Sequence, residues 1–97
     1  PVAGIHRAAE QVIERAGFAR YFRLRAGHGI GVVMHDFPAD VPFNERPLLG
    51  GEVYAVEPGL YIGGAGGFRF SDMVLTTASG GECLGRLAES LVAQTVR

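Results

Sequence analysis

An α+β fold is predicted for this 97-residue chain, with a helix at the start, antiparallel strands after it and a second helix over the last residues. Two patterns predict it. Apolar residues recur at helical spacing near the two ends, and short apolar runs separated by glycine clusters lie between them. The 15 glycines are about double the usual share of ~7%, and they gather at 27–31, 50–51, 63–67 and 80–81. Such clustering marks tight turns between short strands. Strands do not alternate with helices, which argues against a parallel nucleotide-binding sheet. Gly27, Gly29 and Gly31 give G-x-G-x-G without the third spacing or a following helix, a weak dinucleotide signal that is set aside.

Residues 2–16 form the first predicted helix. Ile5, Ala8, Ala9, Val12, Ile13 and Ala16 fall on one face, Arg7, Glu10, Gln11, Glu14 and Arg15 on the other, and Gly17 is a helix stop. His6 falls beside the polar face and reads as solvated. Strands are expected at 21–25 and 32–34, on either side of a turn over 27–31. Pro38, Pro42 and Pro47 mark an irregular loop. A strand over 52–56 ends at Pro58-Gly59. Runs 60–62 and 68–77 are expected to pair across the glycine turn at 63–67, and residues 78–81 close another hairpin. Leu87, Leu91 and Val92 give residues 84–96 the spacing of a terminal helix.

Composition narrows the function classes. Hydrophobic residues at 47% and charged residues at 20% describe a globular chain rather than a disordered one. Nine basic and ten acidic residues are interspersed, so no footprint for nucleic acid or membrane is expected. No apolar run reaches the ~20 residues of a membrane helix, and no leader pattern is visible. The one cysteine, Cys83, reads as a small buried apolar residue in a reducing compartment, so a cytoplasmic location is expected.

Three strings carry chemistry. The first is Gly27-His28-Gly29-Ile30-Gly31 followed by His35-Asp36-Phe37-Pro38. The second is Glu57-Pro58-Gly59, and the third is Arg69-Phe70-Ser71-Asp72. Each sets ionisable groups at glycine-bounded strand ends, where burial demands a partner. His28 and Glu57 are suitable ligands for a divalent ion. Two ligands do not close a site, and a hydrogen-bonded histidine with a buried structural carboxylate is the alternative. Ser71-Asp72 lacks a nearby histidine and an elbow pattern, so a serine nucleophile is not supported. Asp72 reads as a structural partner of Arg69, and Ser79 and Ser90 as turn and surface residues.

In order and spacing these strings resemble the signature of the pita-bread enzymes: Xaa-Pro aminopeptidases, prolidases, methionine aminopeptidases and creatinase. The family pattern runs G-H-G-I-G, H-E-x-P, E-P-G and R-x-E-D. The likeness extends from the first helix to about Leu84. It implies the C-terminal half of a pita-bread fold, with a curved antiparallel sheet packed on the N-terminal helix, and residues 1–97 as a single partial domain. It implies that His28 and Glu57 are metal ligands and that His35 contacts substrate and assists proton transfer. The metal would be manganese, cobalt or zinc, and the substrate a peptide or small amide. Asp36 stands where Glu is commoner, a minor change.

Two departures bear on the metal. Ser71 occupies the position of a Glu that bridges two ions in the family, and a neutral hydroxyl supplies neither the charge nor the second oxygen. Two further Asp ligands are expected upstream of the first helix, so the 97 residues offer two of five ligands. The expected function is a fragment of an Xaa-Pro peptidase-like hydrolase with an incomplete metal site. The alternatives are a metal-free creatinase-like amidinohydrolase, since creatinase also lacks that Glu, and a non-catalytic binding domain. A chain resembling half of a pseudo-symmetric domain is also expected to self-associate as a homo-oligomer.

Overall fold

The structure, a computed structural model, describes residues 1–37 and 41–85. It is an α+β arrangement. Helix α1 spans Ala3–Arg15, and the strands are β1 (Gly27–Ile30), β2 (Val53–Val56), β3 (Gly59–Ile62), β4 (Gly66–Arg69), β5 (Asp72–Thr77) and β6 (Gly80–Cys83). Strands β1, β2, β5 and β6 form one sheet in the order β1-β2-β5-β6, and β3 and β4 form a separate hairpin. Every pairing is antiparallel. The terminal helix expected over 84–96 falls, from residue 86 on, outside the described residues.

The helix forms where the apolar periodicity places it, and its first amides are met by the proline-bounded loop. Val2 N–H donates to the Arg46 carbonyl at 2.9 Å and Ala3 N–H to that of Asn44 at 2.7 Å. Those backbone donors have no partner within a helix, so the loop acts as the cap. Val2, Val41 and Tyr54 make the buried centre, with Ile5 and Val56 packed against it. The Tyr54 hydroxyl donates to Glu52 Oε2 at 3.1 Å, and Arg46 Nη2 donates to Glu52 Oε1 at 2.5 Å. The Arg46 hydrogen bond holds the Glu52 carboxyl below its ordinary range. Helix, loop and sheet thus meet at one polar knot on a small apolar core.

Three expected strands are corrected. Residues 21–25 contain no strand; a single 3-10 turn at Ala19–Tyr21 stands at their start. The G-H-G-I string, expected as a turn, is itself β1. Glycine decides this: a Cβ at Gly27 would overlap the Ala55 carbonyl oxygen, so only glycine lets this stretch lie against β2. Residues 32–34 are exposed and outside any strand. The run 68–77 divides into β4 and β5. Its break faces Pro58, which has no N–H to continue a ladder, so the chain leaves the large sheet at Pro58 and rejoins it after Ser71. Cys83, expected buried, is exposed on β6 and donates from Sγ to Asp72 Oδ2 at 3.0 Å. No described helix is long and apolar enough to cross a membrane.

Candidate metal centre

Register sets the site. Gly27 pairs with Val56, and Val56 with Asp72. The residues just beyond these pairs, Ala26, Glu57 and Ser71, therefore share one end of the large sheet. His28 follows one position inside, opposite Ala55. The Glu57 amide donates to the Ala26 carbonyl at 2.6 Å, extending the ladder past the end of β2.

His35 arrives by a different route. Asp36 N–H donates to the Gly29 carbonyl at 3.1 Å. The Asp36 carboxylate then accepts from the Val32 amide at 3.0 Å and the Phe37 amide at 2.8 Å, closing the loop over 31–36. A Cβ at Gly31 would strike that carboxylate, so the loop depends on glycine there. The outcome is that the His28 and His35 rings lie 4.1 Å apart, tilted by 56°.

His28 is 4% exposed, and its tautomer follows from its partner. Nδ1 lies 2.9 Å from the Gly29 carbonyl oxygen, which only accepts, so Nδ1 carries the proton. In a neutral ring Nε2 then presents a lone pair, and it faces Glu57 Oε1 at 3.5 Å. Two such atoms at that distance repel unless a proton or a metal ion lies between them. A backbone carbonyl on the far ring nitrogen is also the usual support of a metal-ligating histidine. Donor atoms of His28, His35 and Glu57 all lie within 4.8 Å of one another. The His28 imidazole and the Glu57 carboxylate suit a first-row divalent ion, with a second imidazole beside them, so these residues fit one.

Around this centre the remaining polar groups are distributed unevenly. Arg69 Nη1 stands 3.9 Å from Glu57 Oε2. Asp72, expected to pair with Arg69, is instead held by the Cys83 thiol and by the amides of Met73 and Gly85. Those bonds, the thiol's first, keep its carboxyl below the usual range. Asp72 is therefore committed to local structure. Ser71 lines the same cavity of about 600 Å³ as His28, His35, Glu57 and Arg69, and brings a neutral hydroxyl to it. A second, larger groove of about 890 Å³ runs from His35, Glu57 and Arg69 to Phe22 and to His6 on α1.

His6 is the residue that sequence reasoning missed. It is half-buried rather than solvated. Its ring stacks on Phe22 with centroids 5.1 Å apart, and Nδ1 accepts from the Ala26 amide at 3.2 Å. Its place beside the polar face gave no sign of this, because the partner lies 20 residues away.

The profile of metallopeptidase family M24 matches residues 1–78. The chain belongs to metallopeptidase family M24. Within that family it is similar to the Xaa-Pro dipeptidase of Pyrococcus horikoshii, 34% identical over 84 residues, which cover 87% of this chain and 24% of the relative. Its fold is similar to that of dipeptidase PepE from Mycobacterium ulcerans, with a TM-score of 0.81 and 40% identity over 88% of this chain and 23% of that one. The X-Pro aminopeptidase of Thermotoga maritima gives a TM-score of 0.81 at 34% identity, over 89% of this chain and 24% of that one. The pita-bread architecture read from the motifs is thus the one found. This M24 chain spans about a quarter of the length of the curated relatives it matches.

Proposed function

We propose that this chain supplies the His28–His35–Glu57 part of a metal-dependent peptidase that cleaves Xaa-Pro dipeptides or related peptide bonds. The observation that carries the reading is His28 Nε2 facing the Glu57 carboxylate at 3.5 Å, with the His35 ring beside them. His28 and Glu57 would hold the ion, manganese, cobalt or zinc, and when bound it supplies Lewis-acid polarisation of the scissile carbonyl. The exposed His35 ring would donate a hydrogen bond to the carbonyl oxygen as negative charge develops there, and pass a proton to the leaving amine. Arg69 neutralises part of the Glu57 charge. The groove leading to Phe22 and α1 gives a peptide a bed beside these groups.

Ser71 favours a second reading, in which the full polypeptide uses the pocket without an ion, as a creatinase-like amidinohydrolase. The two differ in a measurable way. Ser71→Glu restores a second carboxylate to the cavity shared with Glu57 and His28. Under the metal reading, calorimetric titration of the full polypeptide with manganese shows tighter binding in this variant than in the wild type. An unchanged or absent binding heat in both proteins counts for the metal-free reading. The exposed apolar run Val32, Val33, Met34 and Phe37 supports self-association of the 97-residue chain on its own, which sedimentation equilibrium tests. A cytoplasmic site of action completes the proposal.

A further inference from the structure

We propose that His6 is a positioning residue for the His28–Glu57 pair, acting through the backbone of Ala26. This rests on the metal-centre reading above and extends it to a side chain on α1 that touches neither ligand. Ala26 is fully buried and both of its backbone polar groups are engaged. Its N–H donates to His6 Nδ1 at 3.2 Å, and its carbonyl accepts from the Glu57 amide at 2.6 Å. Ala26 lies two positions before His28 and one before β1. A shift of its peptide therefore moves the start of the strand that carries one ligand and the backbone of the other together.

The imidazole suits this task. To accept at Nδ1 the neutral ring keeps its proton on Nε2, and the stack on Phe22 at 5.1 Å and 20° fixes the ring plane. Without an acceptor the Ala26 amide is a buried donor with no partner, which the chain avoids by moving. His6 also lines the groove shared with His35 and Glu57, so the helix, the loop before β1 and the site form one connected unit. Supporting hydrogen bonds outside the ligands themselves help orient them, and losing one typically costs roughly 10–100-fold in metal affinity.

Two substitutions separate the acceptor from the stack. His6→Phe keeps an aromatic ring against Phe22 and removes the acceptor. His6→Asn removes the ring and places Oδ1 where Nδ1 was. In the full polypeptide, nitrogen-15 NMR reads the His28 ring and the Glu57 amide, amide exchange reads the Glu57–Ala26 bond, and calorimetry reads manganese affinity. His6→Phe is expected to shift the His28 ring signals, speed exchange at Glu57 and weaken manganese binding roughly 10-fold. His6→Asn is expected to return all three close to wild type. Unmoved His28 and Glu57 signals in His6→Phe, with or without lower thermal stability, overturn the proposal. So does a His6→Asn protein whose signals are displaced, and that variant decides alone if His6→Phe does not fold. A wild-type protein that takes up no manganese contradicts the metal reading only, because the ring and amide signals still decide the role of His6.

Discussion

Glu57→Gln is expected to abolish divalent-ion binding and peptide hydrolysis by the full polypeptide while leaving the fold intact. The amide is nearly the same size as the carboxylate, and the backbone bond from Glu57 N–H to the Ala26 carbonyl does not involve the side chain. What is lost is the negative charge facing His28 Nε2 at 3.5 Å. Removing a ligand should weaken binding by more than the roughly 10–100-fold that loss of a supporting hydrogen bond costs. His28→Ala is expected to give the same result. Calorimetry with manganese, alongside circular dichroism to confirm the fold, checks both. Wild-type affinity in either variant would remove the pair from the site.

The second large effect is on stability. Tyr54 is 1% exposed and sits at the centre of the core. Tyr54→Ala leaves a cavity between α1 and the sheet, and also strips Glu52 of a donor at 3.1 Å. The expected loss is about 3–5 kcal/mol, read as a lower urea midpoint with the slope unchanged. Burial, with the neighbouring Glu52 carboxylate, pushes the Tyr54 phenol up to about 12, from an ordinary value of about 10. The folded chain therefore holds this proton more tightly than the unfolded one. Its contribution is complete below about pH 10 and is lost as pH rises towards 12, a fall of about 2–3 kcal/mol at 1.36 kcal/mol per unit. In Tyr54→Phe that alkaline limb should flatten. A limb equally steep in Tyr54→Phe would assign it to another group.

How much of this was legible in the sequence depended on whether the signal was local. Helix α1 came from the spacing of Ile5, Ala8, Ala9, Val12, Ile13 and Ala16, of which Ile5, Ala9 and Ile13 are half-buried and the other three exposed. The site residues came from motif order: register sets His28 and Glu57 at one end of the sheet, and the loop closed by Asp36 carries His35 beside them. Local pattern failed where long-range pairing decided. Residues 21–25 alternate as a strand does, yet β2 pairs with 27–30, since a backbone without Cβ approaches Ala55 more closely. The run 68–77 gave no sign of dividing, because the corner between Pro58 and Ser71 exists only when two strands are laid side by side. Asp72 was assigned to Arg69 by proximity in sequence, whereas β6 offered it a thiol and β5 an amide. His6 stayed hidden for the same reason.

The central claim is that His28, His35 and Glu57 serve a divalent ion in peptide hydrolysis. The most direct measurement is hydrolysis of an Xaa-Pro dipeptide by the full polypeptide before chelation, after chelation, and after manganese is returned. Activity lost on chelation, restored by manganese, and absent throughout in Glu57→Gln is the predicted result. Hydrolysis that persists undiminished in the chelated protein would contradict it.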